Sequence, residues 1–170
     1  MIKIYLGCLL MLVMVLGSCK KCNEKDCMNG ASCNLINNEA VCACKVLYQG
    51  DRCDIETRAI FVGIYNGTPI VTVNGIGLQG VSTEYSLEKN GEDISNFKIS
   101  STDPSDSTKY FCKLTSDTDF VIENVVVAGD DKTISGSGTI SPTNFRISGT
   151  ISQIQNEQTE FRTFVISASK

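Results

Sequence analysis

Two residue types in this chain could carry chemistry, cysteine and the carboxylates, and a third is missing. There are nine cysteines and no histidine. Six cysteines fall in one compact run: Cys22, Cys27, Cys33, Cys42, Cys44 and Cys53. Thiols at this density build either a disulfide framework or a metal site. The missing histidine removes most zinc sites. It also removes the commonest general base and every nucleophilic triad that relies on imidazole. The spacing is uneven, and an even set of close cysteines in an oxidising compartment reads as disulfides. Six cysteines can pair in fifteen ways, and spacing alone does not choose.

The carboxylates gather in turn-like stretches: Glu92, Asp93, Asp103, Asp106, Asp117, Asp119, Asp130 and Asp131. Two of them could serve as acid and base in a glycan hydrolase. Spacing picks out no pair, and Asp favours turns for its own reasons. No catalytic residue, cofactor or metal ligand is assigned, and we expect a protein that is not an enzyme. Lys and Arg are scattered over a mildly acidic chain of net charge −4. Nucleic-acid binding therefore has no electrostatic footprint. There is no tryptophan, which weakens the case for sugar stacking.

The compartment follows from residues 1–18. Lys3 is the only charge, and Ile4 to Leu16 is almost wholly apolar. That run matches a signal-peptide core and is short of the roughly 20 residues that span a bilayer. Leu16-Gly17-Ser18-Cys19 follows. This resembles the lipobox of bacterial lipoproteins. The resemblance implies removal of 1–18 and acylation of Cys19, which becomes the first mature residue. Several acyl chains anchor stably where one binds marginally. Cys8 leaves with the signal, and residues 19–21 form the anchor and a short solvated spacer. In such lipoproteins Lys20, which is not aspartate, implies the outer membrane. The leaflet stays open.

The cysteine run has a resemblance of its own. Cys27-Met28-Asn29-Gly30-Ala31-Ser32-Cys33 is similar to a turn of EGF-like domains. Cys42-Ala43-Cys44, with Gly50 and Cys53, is similar to their C-terminal hairpin, where Tyr48 could supply the packing aromatic. An EGF-like module over 22–54 implies the pairs Cys22–Cys33, Cys27–Cys42 and Cys44–Cys53. So small a module cannot build a sufficient apolar core, and disulfides compensate. The calcium-binding members are not matched. Only Lys20 and Lys21 lie between Cys19 and Cys22, Ala40 stands where Tyr or Phe is expected, and hard cations need clustered oxygens. The module reads as a membrane-proximal spacer.

From about Ala59 the pattern becomes period-two alternation bounded by Gly, Asn, Asp and Pro. Phe145, Ile147, Gly149 and Ile151 share one face, and Arg146, Ser148, Thr150 and Ser152 the other. Ile134, Gly136, Gly138 and Ile140 alternate in the same way, with a hairpin at Pro142-Thr143-Asn144. Further strands are expected at Ile60–Tyr65, Ile70–Val73, Glu84–Leu87, Ile94–Ser100, Lys109–Leu114, Phe120–Val127 and Glu160–Ser167. Helical periodicity is absent. Cys112 alternates with Tyr110 and Leu114, so a buried free thiol is expected there. Residues 57–170 are thus an all-β domain of about eight or nine strands, a meandering barrel or a sandwich.

Phe61-Val62-Gly63-Ile64-Tyr65 and the run Ile134–Ile140 resemble strands of small Bacteroidota lipoproteins that join an EGF-like module to a β-domain. That implies a lipocalin-like or related small barrel, and little about activity, because fold does not fix function. The reading that emerges is a lipid-anchored, non-catalytic binding protein. Its β-domain would meet a protein, a glycan or a small apolar ligand. The alternatives are a structural envelope lipoprotein without a small ligand and, last, a carboxylate-dependent glycan hydrolase.

Overall fold

A computed structural model of the chain describes residues 21–22, 25–104, 106, 108–127, 132–155 and 158–170. Residues 1–20, where the signal and the lipidated Cys19 are expected, lie outside the described residues, Cys8 among them, as do Asp130 and Asp131. Contacts divide the chain into two units, one ending at Glu56 and one running from Thr57 to Lys170.

The first unit is held by cross-links. Cys22 is bonded to Cys33, Cys27 to Cys42 and Cys44 to Cys53. These are the three pairs that the EGF-like resemblance implies. β1 (Ser32–Ile36) and β2 (Glu39–Ala43) form an antiparallel hairpin. Its turn residues, Asn37 and Asn38, both have positive φ, which asparagine tolerates. β3 (Tyr48–Gln49) pairs with β4 (Ile55–Glu56). Of this unit's described hydrophobic residues only Cys53 is fully buried. Closing the Cys27–Cys42 loop restricts the unfolded chain by about 3 kcal/mol in the chain-entropy account.

The second unit is a closed barrel of eight antiparallel strands with a ninth strand attached. The strands are β5 (Gly63–Val73), β6 (Ile76–Gln79), β7 (Thr83–Lys89), β8 (Asn96–Ser101) and β9 (Lys109–Leu114). They continue with β10 (Asp119–Val127), β11 (Lys132–Ile140), β12 (Asn144–Gln155) and β13 (Gln158–Ser169). Each barrel strand pairs with its neighbour, and β13 closes the ring on β5. β6 stands outside the ring, paired to the end of β5. The row Lys89, Phe97, Cys112, Ile122, Gly136, Gly149, Phe164 reaches β5 at Val71, although Leu87 pairs with Gly63. The row climbs as it circles, which is the stagger that closure requires.

Most of the expected strands are present with extended ends. Two differences concern β5, into which the expected Ile60–Tyr65 and Ile70–Val73 merge, and β6, which the alternation did not announce. A third is α1 (Thr57–Phe61), a single helical turn.

The interior is filled by side chains. Tyr65, Leu87, Ile99, Phe120, Phe145, Ile147 and Ile166 are each less than 2% exposed. Tyr65 and Tyr85 meet Phe145 edge-on, and Phe97 meets Phe120 edge-on at 5.1 Å. Room for these rings comes from glycine. A Cβ on Gly138 would strike the Arg146 carbonyl oxygen and the Phe120 ring, and one on Gly149 the Ser135 carbonyl oxygen and the Phe164 ring.

One end of the barrel is capped. α1 brings Arg58, 4% exposed, under the β7–β8 turn. Its Nη1 donates to the carbonyls of Asp93 at 2.6 Å, Asn96 at 2.8 Å and Gly91 at 3.0 Å. The Tyr65 hydroxyl donates to the Phe61 carbonyl at 2.9 Å. Lys170 lies over the Tyr65 ring, 5.0 Å from its centroid.

Gly138→Ala is expected to destabilise the barrel by about 1–3 kcal/mol through overpacking. Gly77→Ala, whose added Cβ would meet nothing closer than Ile70 at 3.7 Å, is the matched control and should change stability little. Urea unfolding of both variants checks this.

Candidate functional site

The described acidic residues do not converge. Glu92, Asp93, Asp117 and Asp119 lie at the capped end, and Asp103 and Asp106 at the opposite end, here called the rim. Four of them have local work. Asp93 Oδ1 accepts from the Ser95 amide at 2.9 Å and its hydroxyl at 2.8 Å. Those bonds hold its carboxyl below the usual range. Asp106 accepts from the Thr108 amide, Asp117 from the Thr57 hydroxyl and Asp119 from the Ser116 hydroxyl. Glu88, bonded to Lys98 and Ser86, is also pushed down. The general acid of a glycan hydrolase needs the reverse, a carboxyl held up. Among the described residues no three His, Cys, Asp or Glu side chains are grouped as metal ligands.

Cys112 is a free, buried thiol on the inner face of β9. Burial pushes its pKa up, with Glu123 adding to the effect. A thiol held protonated is a poor nucleophile.

The rim is chemically unlike the capped end. Within the barrel unit, five described apolar residues are more than half exposed: Ile76, Leu78, Val81, Ile154 and Phe161. All five sit on rim-end hairpins or the segment leading into β7. Inside the rim the barrel turns polar. Arg162 continues the inner face that Ala168, Ile166 and Phe164 define on β13, opposite Ile151. Its Nη2 pairs with Glu160 at 3.1 Å. Its Nε is buried with no hydrogen-bond partner among the described residues. A buried donor left unsatisfied costs free energy. Such an edge is suited to a carboxylate, a carbonyl or another acceptor brought by a ligand. The Tyr110 ring lies 5.7 Å from Phe164, and Tyr110 and Tyr85 both feel the Asp106 carboxylate from the rim loop.

A depression of about 420 Å³ lies on the outer face of β10, β11 and β12. Asp119, Thr139 and Arg146 form one cross-strand row of it, and Ser137 and Ser148 another. Its hydroxyls suit a polar ligand, but Arg146 is already bonded to the Ser167 hydroxyl at 3.1 Å.

Sequence reasoning passed over Arg162, Tyr85 and Tyr110. A signal was present for the first: a charge at an inward position of an otherwise apolar alternation. No family model and no curated protein matches the chain.

Burial, then Asp106, pushes the Tyr85 phenol up to about 12. Unfolding returns it to its ordinary value of 10.0. Between these values the unfolded chain has lost a proton that the folded chain keeps, so stability falls as pH rises through the window. Below it the group adds no pH dependence. Urea unfolding of wild type and Tyr85→Phe across that window should show a shallower decline in the variant.

Proposed function

We propose that the chain is a lipid-anchored envelope protein that binds its partner without catalysis, using the rim of its barrel. The observation that carries this is the asymmetry of the two ends. One is locked by α1 and the Arg58 bonds to turn carbonyls. The other carries the most exposed of the barrel's described apolar side chains and a buried guanidinium nitrogen without a hydrogen-bond partner among the described residues. Apolar groups left in water beside an unmet donor are what a binding surface offers before its partner arrives. The filled interior favours a partner that sits on the rim over a small molecule enclosed deep in the barrel.

The anchor rests on Leu16-Gly17-Ser18-Cys19, with acylation at Cys19 and the outer membrane as destination. The three disulfide pairs support reading residues 22–54 as an EGF-like spacer. The turn-making roles of the carboxylates support a non-catalytic protein.

Two measurements test this. Metabolic palmitate labelling should mark the wild-type chain and be lost in Cys19→Ala, which should also retain residues 1–18. A photo-crosslinking residue at Phe161 or Ile154, on the rim, should capture a discrete partner in cells. The same residue at Ile64, toward the capped end, should not. Equal capture from both ends would remove the rim as the binding surface.

A further inference from the structure

The nine-stranded sheet has one strand with a single neighbour, β6. Its hairpin with β5 turns through two residues, Asn74 and Gly75, both at positive φ. A two-residue turn makes Val73 and Ile76 the first hydrogen-bonded pair. Alternation then directs the backbone groups of Ile76 and Leu78 toward β5, and those of Gly77 and Gln79 away from it. The outer edge of β6 therefore presents two amides and two carbonyls at strand spacing. All four residues of β6 are exposed, so the flank is open. Natural edges are commonly guarded by Lys, Pro or inward charges. This one has none: residues 59–83 contain no Asp, Glu, Lys or Arg.

We propose that this edge pairs with the β6 edge of a second copy of the chain. The occupant must be an extended polypeptide, because only another strand matches alternating donors and acceptors. A second copy fits because the edge is complementary to itself about Leu78. In antiparallel pairing Gly77 lies opposite Gln79 of the copy, both with outward groups, and the two Leu78 residues face each other. Ile76 and Leu78, 67% and 57% exposed, lose water together. Charge favours this meeting point: the chain is acidic overall, and two copies approach here through an uncharged segment. A four-residue edge buries far less than the roughly 1,200–2,000 Å² of a standard interface. The pairing is accordingly weak and depends on local concentration, which confinement to a membrane surface raises. This inference rests on the rim as the interaction end and names one of its partners.

The test is oxidative cross-linking of the full chain, exported by a bacterial host. Directly opposed residues that do not exchange backbone hydrogen bonds lie close enough for a disulfide. Leu78→Cys should give a covalent homodimer on a non-reducing gel. Val46→Cys, more exposed at 65% but in the other unit, should not. Adding Gly77→Pro, which deletes an outward amide, should abolish the dimer. Adding the exposed Ile76→Lys instead should also lose most of it, by like-charge repulsion, should Gly77→Pro perturb the hairpin. Leu78→Cys dimerising no more than Val46→Cys overturns the inference. So does an adduct of another mass, or a dimer that survives both second substitutions in folded protein. Partner capture from Phe161 that persists in Gly77→Pro separates this inference from the rim reading: the dimer can fail while the rim stands.

Discussion

The barrel depends on how closely its strands approach at β11 and β12. At Gly136, Gly138 and Gly149 the space a Cβ would fill belongs to a carbonyl oxygen of the adjacent strand, and at Gly138 and Gly149 also to a phenylalanine ring. The missing side chains do two things at once. They let the sheet bend sharply, as a small closed barrel must. They also leave hollows into which Phe120 and Phe164 settle. Burying such a ring contributes about 1.5–3 kcal/mol, but only if the wall accepts it. The seam shows the same device, since a Cβ on Gly67 would strike the Ser167 carbonyl at 2.7 Å. Closure, ring packing and the register of β13 on β5 are therefore one constraint.

The capped end solves a different problem. α1 is five residues long, too short to persist as an isolated helix. Arg58 holds it there. A buried guanidinium is costly unless its donors are met, and here three carbonyls of the β7–β8 turn lie within 3.0 Å of one nitrogen. The arrangement stabilises the helix and the turn together. The disulfide unit reaches order by another route: with almost no buried apolar residue it relies on cross-links that restrict the unfolded chain.

These differences explain what could be read from the sequence. The period-two pattern announced β9 with its ends correct, because Tyr110, Cys112 and Leu114 all bury. It split β5 because Gly67 and Pro69 look like breaks. Pro69 is tolerated because it sits where the neighbour of β5 changes from β7 to β6, with its carbonyl accepting from Gly80 at 2.7 Å. β6 was invisible because Gly77 lies between two apolar residues that bury nothing in this unit. α1 has no period to detect in one turn, and the partners of Arg58 lie more than thirty residues away. The disulfide pairing came from motif resemblance, since spacing was silent. The rim was missed for a related reason: whether Phe161 or Ile76 is exposed depends on which strands adjoin it, and alternation records the face of a strand without its neighbours.

The division of labour between the ends bears on function through stability. A binding surface keeps apolar and polar groups unsatisfied until its partner arrives, and those groups lower the stability of the free protein. The barrel can tolerate that at the rim because its ring packing and the Arg58 clamp act elsewhere. Arg162 makes the trade concrete. It occupies an inward position where Ile or Val would complete the apolar ladder of Ala168, Ile166 and Phe164, and it leaves Nε buried without a partner among the described residues. A core optimised for stability alone would not place a guanidinium there. Its location, one alternation step beyond the last buried ring of β13, marks where the barrel stops being a core and the proposed recognition surface begins.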